Sequence, residues 1–330
     1  MNIFILVEGV ERLKTSLGSS YERAFKQNEC LTHTIDFDDN KNFIDKVFIK
    51  LFNRSFRREI ICFKQIKKLT RNKPFDPNII FILKGSFLNK YSLKYLKNKF
   101  PKSKIICFNP DDPFNTKSCT KNIPSNIYLY DHYFIWSKIL QKKISQLNTN
   151  TSFLDFAYDP LYVRKSIKKK YDVVFIGNSD EHRNNFFQEV SRLFKIQGIK
   201  LHIFGNGWEN IQNATTHRQE QGEKYFTILS SAIININLLR VQNKNALNMR
   251  SYEIPSCDSL MLHEKSDRLA EVFEDSKGFS FASPKELVNI CLRLLEDPKR
   301  ISSIKNKQLE TIKYETYSKR VAQILSIIHE

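Results

Sequence analysis

The stretch Arg250-Ser-Tyr-Glu253-Ile-Pro-Ser-Cys257 lies between two short apolar runs, Ala-Ile-Ile-Asn-Ile-Asn-Leu-Leu at 232–239 and Leu-Met-Leu at 260–262. Apolar, branched runs of this length are typical of strands that are buried on both faces of a parallel sheet. The segment between them is therefore predicted to be the crossover helix that joins two parallel strands. This pattern predicts an α/β fold.

Arg250 and Glu253 are three residues apart, which places both side chains on one face of the predicted helix. Ligands of open α/β sheets bind outside the carboxyl ends of the strands. An arginine can hold a diphosphate in a fork, and a glutamate can accept hydrogen bonds from two ribose hydroxyls. The pair therefore indicates a sugar-nucleotide site. A surface ion pair that braces the helix is the alternative.

The charge of the chain is strongly basic, with 53 Lys+Arg against 35 Asp+Glu and a formal net charge of +18. Residues 41–104 contain 18 basic and 3 acidic side chains, so this stretch alone carries +15. Such a surface attracts a polyanion, which can be an anionic membrane surface, a nucleic acid or a phosphorylated acceptor. A general bias of the chain toward lysine is the alternative explanation.

Composition excludes several classes of protein. A hydrophobic content of 41% with 12% aromatic residues excludes a largely disordered chain. No apolar run approaches the roughly 18 residues of a membrane span, and residues 1–7 predict a first strand, not a signal peptide. The six cysteines show no CxxC spacing and no ligand-like pairing with the seven histidines. They predict reduced, mostly buried thiols in a cytoplasmic protein without a metal site.

The 330 residues are enough for two domains, and strand–loop–helix patterns begin in both halves. We expect an N-terminal Rossmann-like domain at 1–164, a basic linker at 165–170 and a second Rossmann-like domain at 171–315. Residues 43–69 read as basic amphipathic helix, which can lie on anionic lipid or pack on a core with a solvated outer face.

Polar side chains follow several predicted strands of the first half. Asp111 and Asp112 lie between two prolines directly after the predicted strand at 104–108, and His132 follows a predicted strand at 127–130. These residues are the candidates for contact with an acceptor. A lone histidine after a strand also suits a structural role.

Glycines follow strands in the second half. Gly177 comes after the run at 172–176, and Gly205 and Gly207 come after the run at 201–204, although the chain has only nine glycines. Glycine at a strand end allows close approach of backbone to a ligand, or a tight turn. Helices are predicted at 284–295, near 300–313 and at 316–328.

The order of these motifs resembles the nucleotide-sugar domain of GT-B glycosyltransferases, and more narrowly the CgeB-like, spore-maturation-protein-type group. The resemblance covers most of the chain and is strongest over 171–320. The matching segments are Asn109-Pro-Asp-Asp-Pro113, Ala157-Tyr-Asp-Pro160, Val174-Phe-Ile-Gly177 with Arg183, Phe204-Gly-Asn-Gly-Trp208, Asn235-Ile-Asn237, Arg250-Ser-Tyr-Glu253-Ile-Pro-Ser-Cys257, Phe273-Glu-Asp275, Pro284-Lys-Glu-Leu287 and Thr316-Tyr-Ser-Lys-Arg320.

This resemblance implies GT-B architecture: two facing Rossmann-like domains, with a C-terminal helix at 316–330 that crosses back to the first. It implies a nucleotide-sugar donor, no required metal ion and no other cofactor. Arg250 would contact the diphosphate and Glu253 the ribose, while Asp111 or Asp112 would orient or deprotonate the acceptor hydroxyl and His132 would be the second choice. The implied donor-binding residues are Gly177, Asn178, Arg183, Gly205, Asn206, Gly207, Asn237, Arg250, Tyr252 and Glu253.

Three positions depart from the family pattern. Ala246 stands where related family-4 enzymes place a first glutamate, which puts the retaining mechanism in question rather than donor binding. Asp258 replaces a glycine, and Glu315 replaces the histidine of a late His-Thr-Tyr segment.

The main hypothesis is therefore a glycosyltransferase that moves a sugar from a nucleotide-sugar donor to a cell-surface glycan or lipid-linked acceptor. Its basic region at 41–104 would hold it at the inner face of an anionic membrane. A transferase that acts on modified bases in DNA is the second hypothesis, although no DNA-binding motif supports it. A non-catalytic GT-B-like scaffold protein is the third.

Overall fold

The computed structural model describes residues 1–7, 15–36, 54–163 and 167–329, and it divides the chain into two compact units. Unit 1 comprises Met1–Asp155 with Tyr317–Glu330, and unit 2 comprises Phe156–Thr316. Each unit contains a six-stranded sheet in which every pair of neighbouring strands is parallel, with helices between the strands. The predicted α/β class is confirmed.

Unit 1 has the strand order β2-β1-β3-β4-β5-β6. Its central strands are buried on both faces because their sequences, such as Ile-Ile-Phe-Ile-Leu in β3, are continuously apolar. The strands are β1 Asn2–Val7, β2 Leu31–Asp36, β3 Ile79–Leu83, β4 Lys104–Asn109, β5 His132–Ile135 and β6 Thr151–Phe153. The described helices before the second unit are α1 Leu17–Gln27, α2 Arg54–Arg71, α3 Lys90–Lys99, α4 Asn122–Asn126 and α5 Lys138–Ile144.

Unit 2 has the strand order β12-β11-β10-β7-β8-β9. The predicted crossover is confirmed, since β10 pairs in parallel with β11 through Ile234 and Leu260 and a helix lies between them in the chain. The strands are β7 Tyr171–Ile176, β8 Leu201–Phe204, β9 Thr215–His217, β10 Ala232–Asn237, β11 Leu260–Glu264 and β12 Ser280–Phe281. The helices are α6 Glu181–Ile196, α7 Glu223–Ser231, α8 Arg250–Ser256, α9 Asp267–Val272, α10 Pro284–Leu295 and α11 Pro298–Ile312.

The C-terminal helix, α12 Tyr317–His329, packs on unit 1. The rings of Tyr317 and Tyr21 are 5.1 Å apart, and the Nδ2 of Asn28 donates to the carbonyl oxygen of Ser318 at 3.1 Å. Arg320 is only 3% exposed and donates to the carbonyl oxygen of Asp155. The last helix is therefore part of the core of the first unit.

The strand predicted at 127–130 differs in the structure. Residues Ile127–Leu129 form a 3-10 helix that leaves Tyr128 55% exposed, and the strand begins only at His132. The buried run is 133–136, because Asp131 turns back to accept a hydrogen bond from the backbone N–H of Ile105. The next strand, β6, is short and covers only Thr151–Phe153.

Some predicted features lie wholly or partly outside the described residues. The start of the predicted helix at 43–69 is outside, as are the first residues of the predicted linker. The described part of the linker lies against unit 2, since Lys169 Nζ donates to the carbonyl oxygens of Ser230 and Asp258. Within the described ranges, no helix is long and apolar enough to cross a membrane.

Candidate functional site

The sheet of unit 2 has a topological switch point between β7 and β10. The chain runs from β7 to β8 and β9 on one side, then returns to place β10 and β11 on the other. At such a point the loops after the two central strands turn in opposite directions and leave a crevice at the carboxyl edge. The loops after β7, β10 and β11 all begin at this edge.

A close backbone approach joins the loops after β7 and β8. A Cβ atom on Gly205 would lie 2.1 Å from the carbonyl oxygen of Gly177, so no other residue fits there. The backbone N–H of Gly177 donates to the oxygen of Phe204 at 2.8 Å, and the indole Nε1 of Trp208 donates to the oxygen of Gly177 at 2.7 Å. The two predicted glycines thus belong to one turn assembly.

Asn178, Asn206 and Gly207 belong to the same assembly. The backbone N–H of Asn206 donates to the Oδ1 of Asn178 at 3.0 Å, and the side chain of Asn206 donates to Gln219. Gly207 has a φ of +80° and lies against Ser179. The structure therefore brings together five of the predicted donor-binding residues beside the crevice.

Arg183 is a buried arginine at the carboxyl edge of the sheet. It lies in the first turn of α6, whose N-cap Asp180 accepts a hydrogen bond from the backbone N–H of Arg183. Its side chain is almost fully buried, and its Nη1 and Nη2 donate to the carbonyl oxygens of Asn178 and Leu238 at 3.2 and 2.8 Å. Arg183 therefore ties the loop after β7 to the loop after β10.

Three arginines, Arg183, Arg240 and Arg250, lie close together at this edge. Burial is the main cause that lowers the pKa of Arg183 to about 9, and the nearby cations of Arg250 and Arg240 lower it further. Asp180 and Glu264 oppose this effect, and the Nε of Arg240 lies 3.9 Å from the Oδ2 of Asp180. Arginine side chains can hold an anion such as a diphosphate, and Arg240 and Arg250 are the less buried of the three.

Glu253 is buried, whereas a glutamate in a surface ion pair would be exposed to solvent. Its side chain is buried, and its Oε2 accepts a hydrogen bond from the hydroxyl of Tyr225 at 2.6 Å. Burial raises the pKa of Glu253, while the Tyr225 hydrogen bond and the charge of Arg250 act in the opposite direction. Arg250 is half-buried, and among the described residues its Nε has no hydrogen-bond partner. An oxygen atom of a ligand could therefore accept a hydrogen bond from the Nε of Arg250.

Asn237 lies inside unit 2, away from the surface of the crevice. It is fully buried, and its amide exchanges hydrogen bonds of 3.0 and 2.9 Å with the amide of Asn248. Its Nδ2 also donates to the Oγ of Ser251, which contacts the Nε2 of His263. Tyr252 is likewise buried, at 1% exposure. The structure thus places these two predicted donor contacts in the packing beneath α8.

In unit 1 the switch point lies between β1 and β3. Asp111 follows β4 at the same carboxyl edge, and its Oδ2 accepts a hydrogen bond from the Nζ of Lys84 at 2.7 Å. The backbone N–H of Asp111 donates to the Oδ1 of the buried Asn109, and Asp112 accepts from the backbone N–H of Phe114. Both predicted acids are therefore held in a structured turn.

His132 is not brought to this edge. It is the first residue of β5 and pairs with Ile106, five residues before Asp111. At about 3.3 Å per residue, this offset is roughly 16 Å along the sheet. Its Nε2 is 2.9 Å from the Oγ of Ser152, and burial lowers its pKa. Asp111 therefore lies at the carboxyl end of β4, whereas His132 lies at the amino end of the neighbouring strand β5.

Four residues at these sites were not predicted from the sequence. Three of them lie at the carboxyl end of a strand or within three residues after it: Lys84, Arg240 and Glu264. Their position in the sequence could therefore have marked them as candidates for a ligand site. Tyr225 carries no such signal, because it meets Glu253 only through the packing of α7 on α8. Among the described residues, no group of three or more His, Cys, Asp or Glu is arranged to hold a metal ion.

Residues 183–326 match a family described as "Glycosyl transferase-like". Solved structures resemble the whole chain: an alpha-glucosyltransferase in complex with UDP has a TM-score of 0.72 at 13% identity, with 100% of both chains covered. The same kind of enzyme with UDP-glucose and DNA containing an abasic site has a TM-score of 0.70 at 13% identity, again covering both chains fully. Anabaena HepE with UDP-glucose has a TM-score of 0.67 at 11% identity and covers 100% of this chain and 99% of its own.

No curated protein matches the chain by sequence. At these low identities the structural likeness shows the fold, which is that of GT-B glycosyltransferases. The match over 183–326 and the nucleotide-sugar complexes of the neighbours together support a glycosyltransferase enzyme. The narrower resemblance to the CgeB-like group stays a prediction.

Proposed function

We propose that this chain is a metal-independent glycosyltransferase that takes a sugar from a uridine diphosphate sugar. The arginine cluster at the switch point of unit 2 carries the proposal, because it is a built anion site within the segment that matches the transferase family. The structural neighbours that hold UDP or UDP-glucose support uridine as the base.

In this proposal Arg250 and Arg240 contact the diphosphate. Arg250 has an Nε without a hydrogen-bond partner among the described residues, and the side chain of Arg240 is 43% exposed. Glu253 accepts hydrogen bonds from the ribose hydroxyls through the carboxylate that Tyr225 already holds in place. The turn assembly around Gly177 leaves backbone close to the phosphates.

The proposed sugar transfer requires mainly that the protein positions the reactants and supplies fixed charges. As the bond between the anomeric carbon and the diphosphate breaks, negative charge grows on the leaving oxygen, and fixed cations stabilise it without reorganisation. Asp111 or Asp112 orients the acceptor hydroxyl and takes its proton as the new bond forms. No residue in this scheme needs a metal ion.

The donor site is tested by titration of the purified protein, in the presence of EDTA, against UDP, GDP, CDP and ADP. Thermal stability should rise only with UDP, by about 2.7 kcal/mol at a hundred times the dissociation constant. Arg250→Gln should abolish the shift, whereas Arg293→Gln, at an exposed arginine of α10, should preserve it. A protein that responds to none of the four nucleotides would contradict the transferase and favour the scaffold alternative.

We also propose that the acceptor lies at an anionic membrane surface, as a glycan or lipid-linked sugar. Helices α2 and α3 pack side by side, since the rings of Phe63 and Tyr95 are 5.5 Å apart. Glu59, the one acid of α2, is held by Asn89 and Asn122, so the outer faces are basic. The exposed basic residues of these two helices, among the side chains that the structure describes, are Lys64, Lys67, Lys68, Arg71, Lys90, Lys94 and Lys99.

Modified DNA is the second candidate acceptor, because three alpha-glucosyltransferase structures that resemble this chain contain DNA. The same basic faces could follow a phosphate backbone, with an affinity that falls steeply as salt is added. Each near-surface lysine contributes at most about 1 kcal/mol to lipid binding. Both partners therefore require several of these side chains together.

Binding to phosphatidylserine vesicles and to duplex DNA separates the two acceptors. Changing Lys64, Lys67 and Lys68 together to glutamate should release the protein from the vesicles while its response to UDP remains. A matched triple change to glutamate on α11 of unit 2 alters the charge equally and should leave vesicle binding intact; its sites are Lys299, Arg300 and Lys307. Tight, salt-sensitive binding of the wild type to duplex DNA without vesicle binding would instead support a DNA acceptor.

A further inference from the structure

Lys84 has a backbone conformation that lysine rarely adopts. Its φ is +69°, and Gly85 follows with a φ of +77°. The backbone N–H of Gly85 donates to the carbonyl oxygen of Leu83 at 2.9 Å, which makes Lys84 the centre of a γ-turn with positive φ. Such turns are strained, and strained residues cluster at functional sites. A glycine would occupy the position without strain.

The strained turn lies at the switch point of unit 1 and aims a cation at the candidate base. Lys84 follows β3, its backbone N–H continues the sheet by donating to the oxygen of Phe108, and its Nζ lies 2.7 Å from the Oδ2 of Asp111. The side chains of Lys84 and Asp111 are 29% and 28% exposed, so the pair is partly shielded from solvent.

The remaining contacts fix the direction of the Asp111 carboxylate. The backbone N–H of Asp111 is held by Asn109, whose Nδ2 donates to the hydroxyl of the buried Tyr133 at 3.1 Å. With Oδ2 occupied by Lys84, the other oxygen, Oδ1, has no hydrogen-bond partner among the described residues. One oxygen is therefore anchored and the other is available.

We propose that Lys84 is the positioning residue for Asp111, and this inference rests on the transferase proposed above. Lys84 holds Oδ2 so that Oδ1 faces the acceptor oxygen, which forms its bond to the anomeric carbon while its proton passes to Asp111. The bond from that carbon to the diphosphate breaks, and UDP leaves with the electron pair. Between Asp111 and Asp112, this assigns the role to Asp111, because the contact seen for Asp112 is a local turn.

The test uses water as the acceptor and measures UDP release from UDP-glucose by the full-length protein. Lys84→Met should lower kcat about 10- to 100-fold, as a misaligned catalytic group does, with no change in the dissociation constant of UDP. Lys84→Arg should retain most of the turnover because it keeps the cation. Lys97→Met is the matched control, since it breaks the ion pair with Asp131 in the same unit, away from the switch point.

Lys84→Gly distinguishes positioning from a structural role. It removes the strain at φ +69°, so its Tm should equal or exceed that of the wild type while its kcat falls as in Lys84→Met. Unchanged turnover in Lys84→Met, an equal loss of UDP affinity, or a Lys84→Arg variant as slow as Lys84→Met would each overturn the inference. A wild-type protein that binds no UDP and releases none would instead overturn the proposed function.

Discussion

Replacing His263 with glutamine should remove the acid sensitivity that this buried ring gives unit 2 between pH 6.5 and pH 4. His263 is fully buried, and its Nδ1 is 2.6 Å from the carbonyl oxygen of Glu264. Because a carbonyl only accepts hydrogen bonds, Nδ1 carries the proton and Nε2 accepts from the hydroxyl of Ser251. The folded protein thus uses the neutral ring, which supports the network of Asn237 and Asn248 beneath α8.

Burial lowers the pKa of His263 from 6.5 to about 4, with the hydrogen bond to Glu264 opposing it. Between these two values the unfolded chain binds a proton that the folded chain does not, so stability falls as the pH falls and is constant above about 6.5. A pKa difference of about 2.5, at about 1.36 kcal/mol for each unit, corresponds to about 3 kcal/mol once both states are protonated. By pH 5 the loss should be about 2 kcal/mol.

Urea unfolding followed by tryptophan fluorescence measures this loss. The chain has two tryptophans, and a Trp136→Phe background leaves Trp208 as a reporter of unit 2 alone. His263→Gln should be less stable than its parent at pH 7.5, and the difference should shrink by about 2 kcal/mol at pH 5. His329→Gln, at an exposed histidine, is the control. Parallel pH profiles for the parent and His263→Gln would refute the assignment of a neutral, buried ring.

Two further predictions concern the proposed donor site. Gly205→Ala should destabilise unit 2 by about 3 kcal/mol or more, because its Cβ would lie 2.1 Å from the oxygen of Gly177; Gly278→Ala has nothing within 4 Å and should melt like the wild type. Glu253→Ala should weaken UDP binding by about 1.5–3 kcal/mol in calorimetry, and Tyr225→Phe, which keeps the carboxylate, should cost less. If Glu253→Ala binds UDP as tightly as the wild type does, Glu253 does not contact the ribose.

The sequence predicted those parts of the fold that depend on local patterns. The helix predicted at 284–295 agrees with α10, because Ser283 caps its N-terminus and Pro284 suits its first turn. The strand predicted at 232–239 ends instead at Asn237, since the backbone N–H of Leu239 leaves the sheet and donates to the carboxylate of Glu264. The hydropathy of residues 232–239 does not indicate that Glu264, 25 residues away, accepts this hydrogen bond.

The same limit applies to the candidate sites. Gly177 and Gly205 could be selected from the sequence because each directly follows a strand, and the rule for carboxyl ends then applies. The pairing of Tyr225 with Glu253, or of Lys84 with Asp111, joins residues about 27 positions apart and depends on how helices and turns pack. The hydrogen bonds between Asn237 and Asn248 likewise depend on tertiary packing.

The arginines of the crevice divide two tasks that the sequence could not separate. Arg183 gives both terminal nitrogens to main-chain carbonyls after β7 and β10, a span that suits the planar fork of arginine and not the single ammonium of lysine. It is therefore a brace whose charge acts through space, in a buried setting where that charge is poorly screened. Arg240 and Arg250 are more exposed and retain donors for a ligand. In the proposed donor site, a diphosphate would be attracted by all three of these cations while it contacts only Arg240 and Arg250.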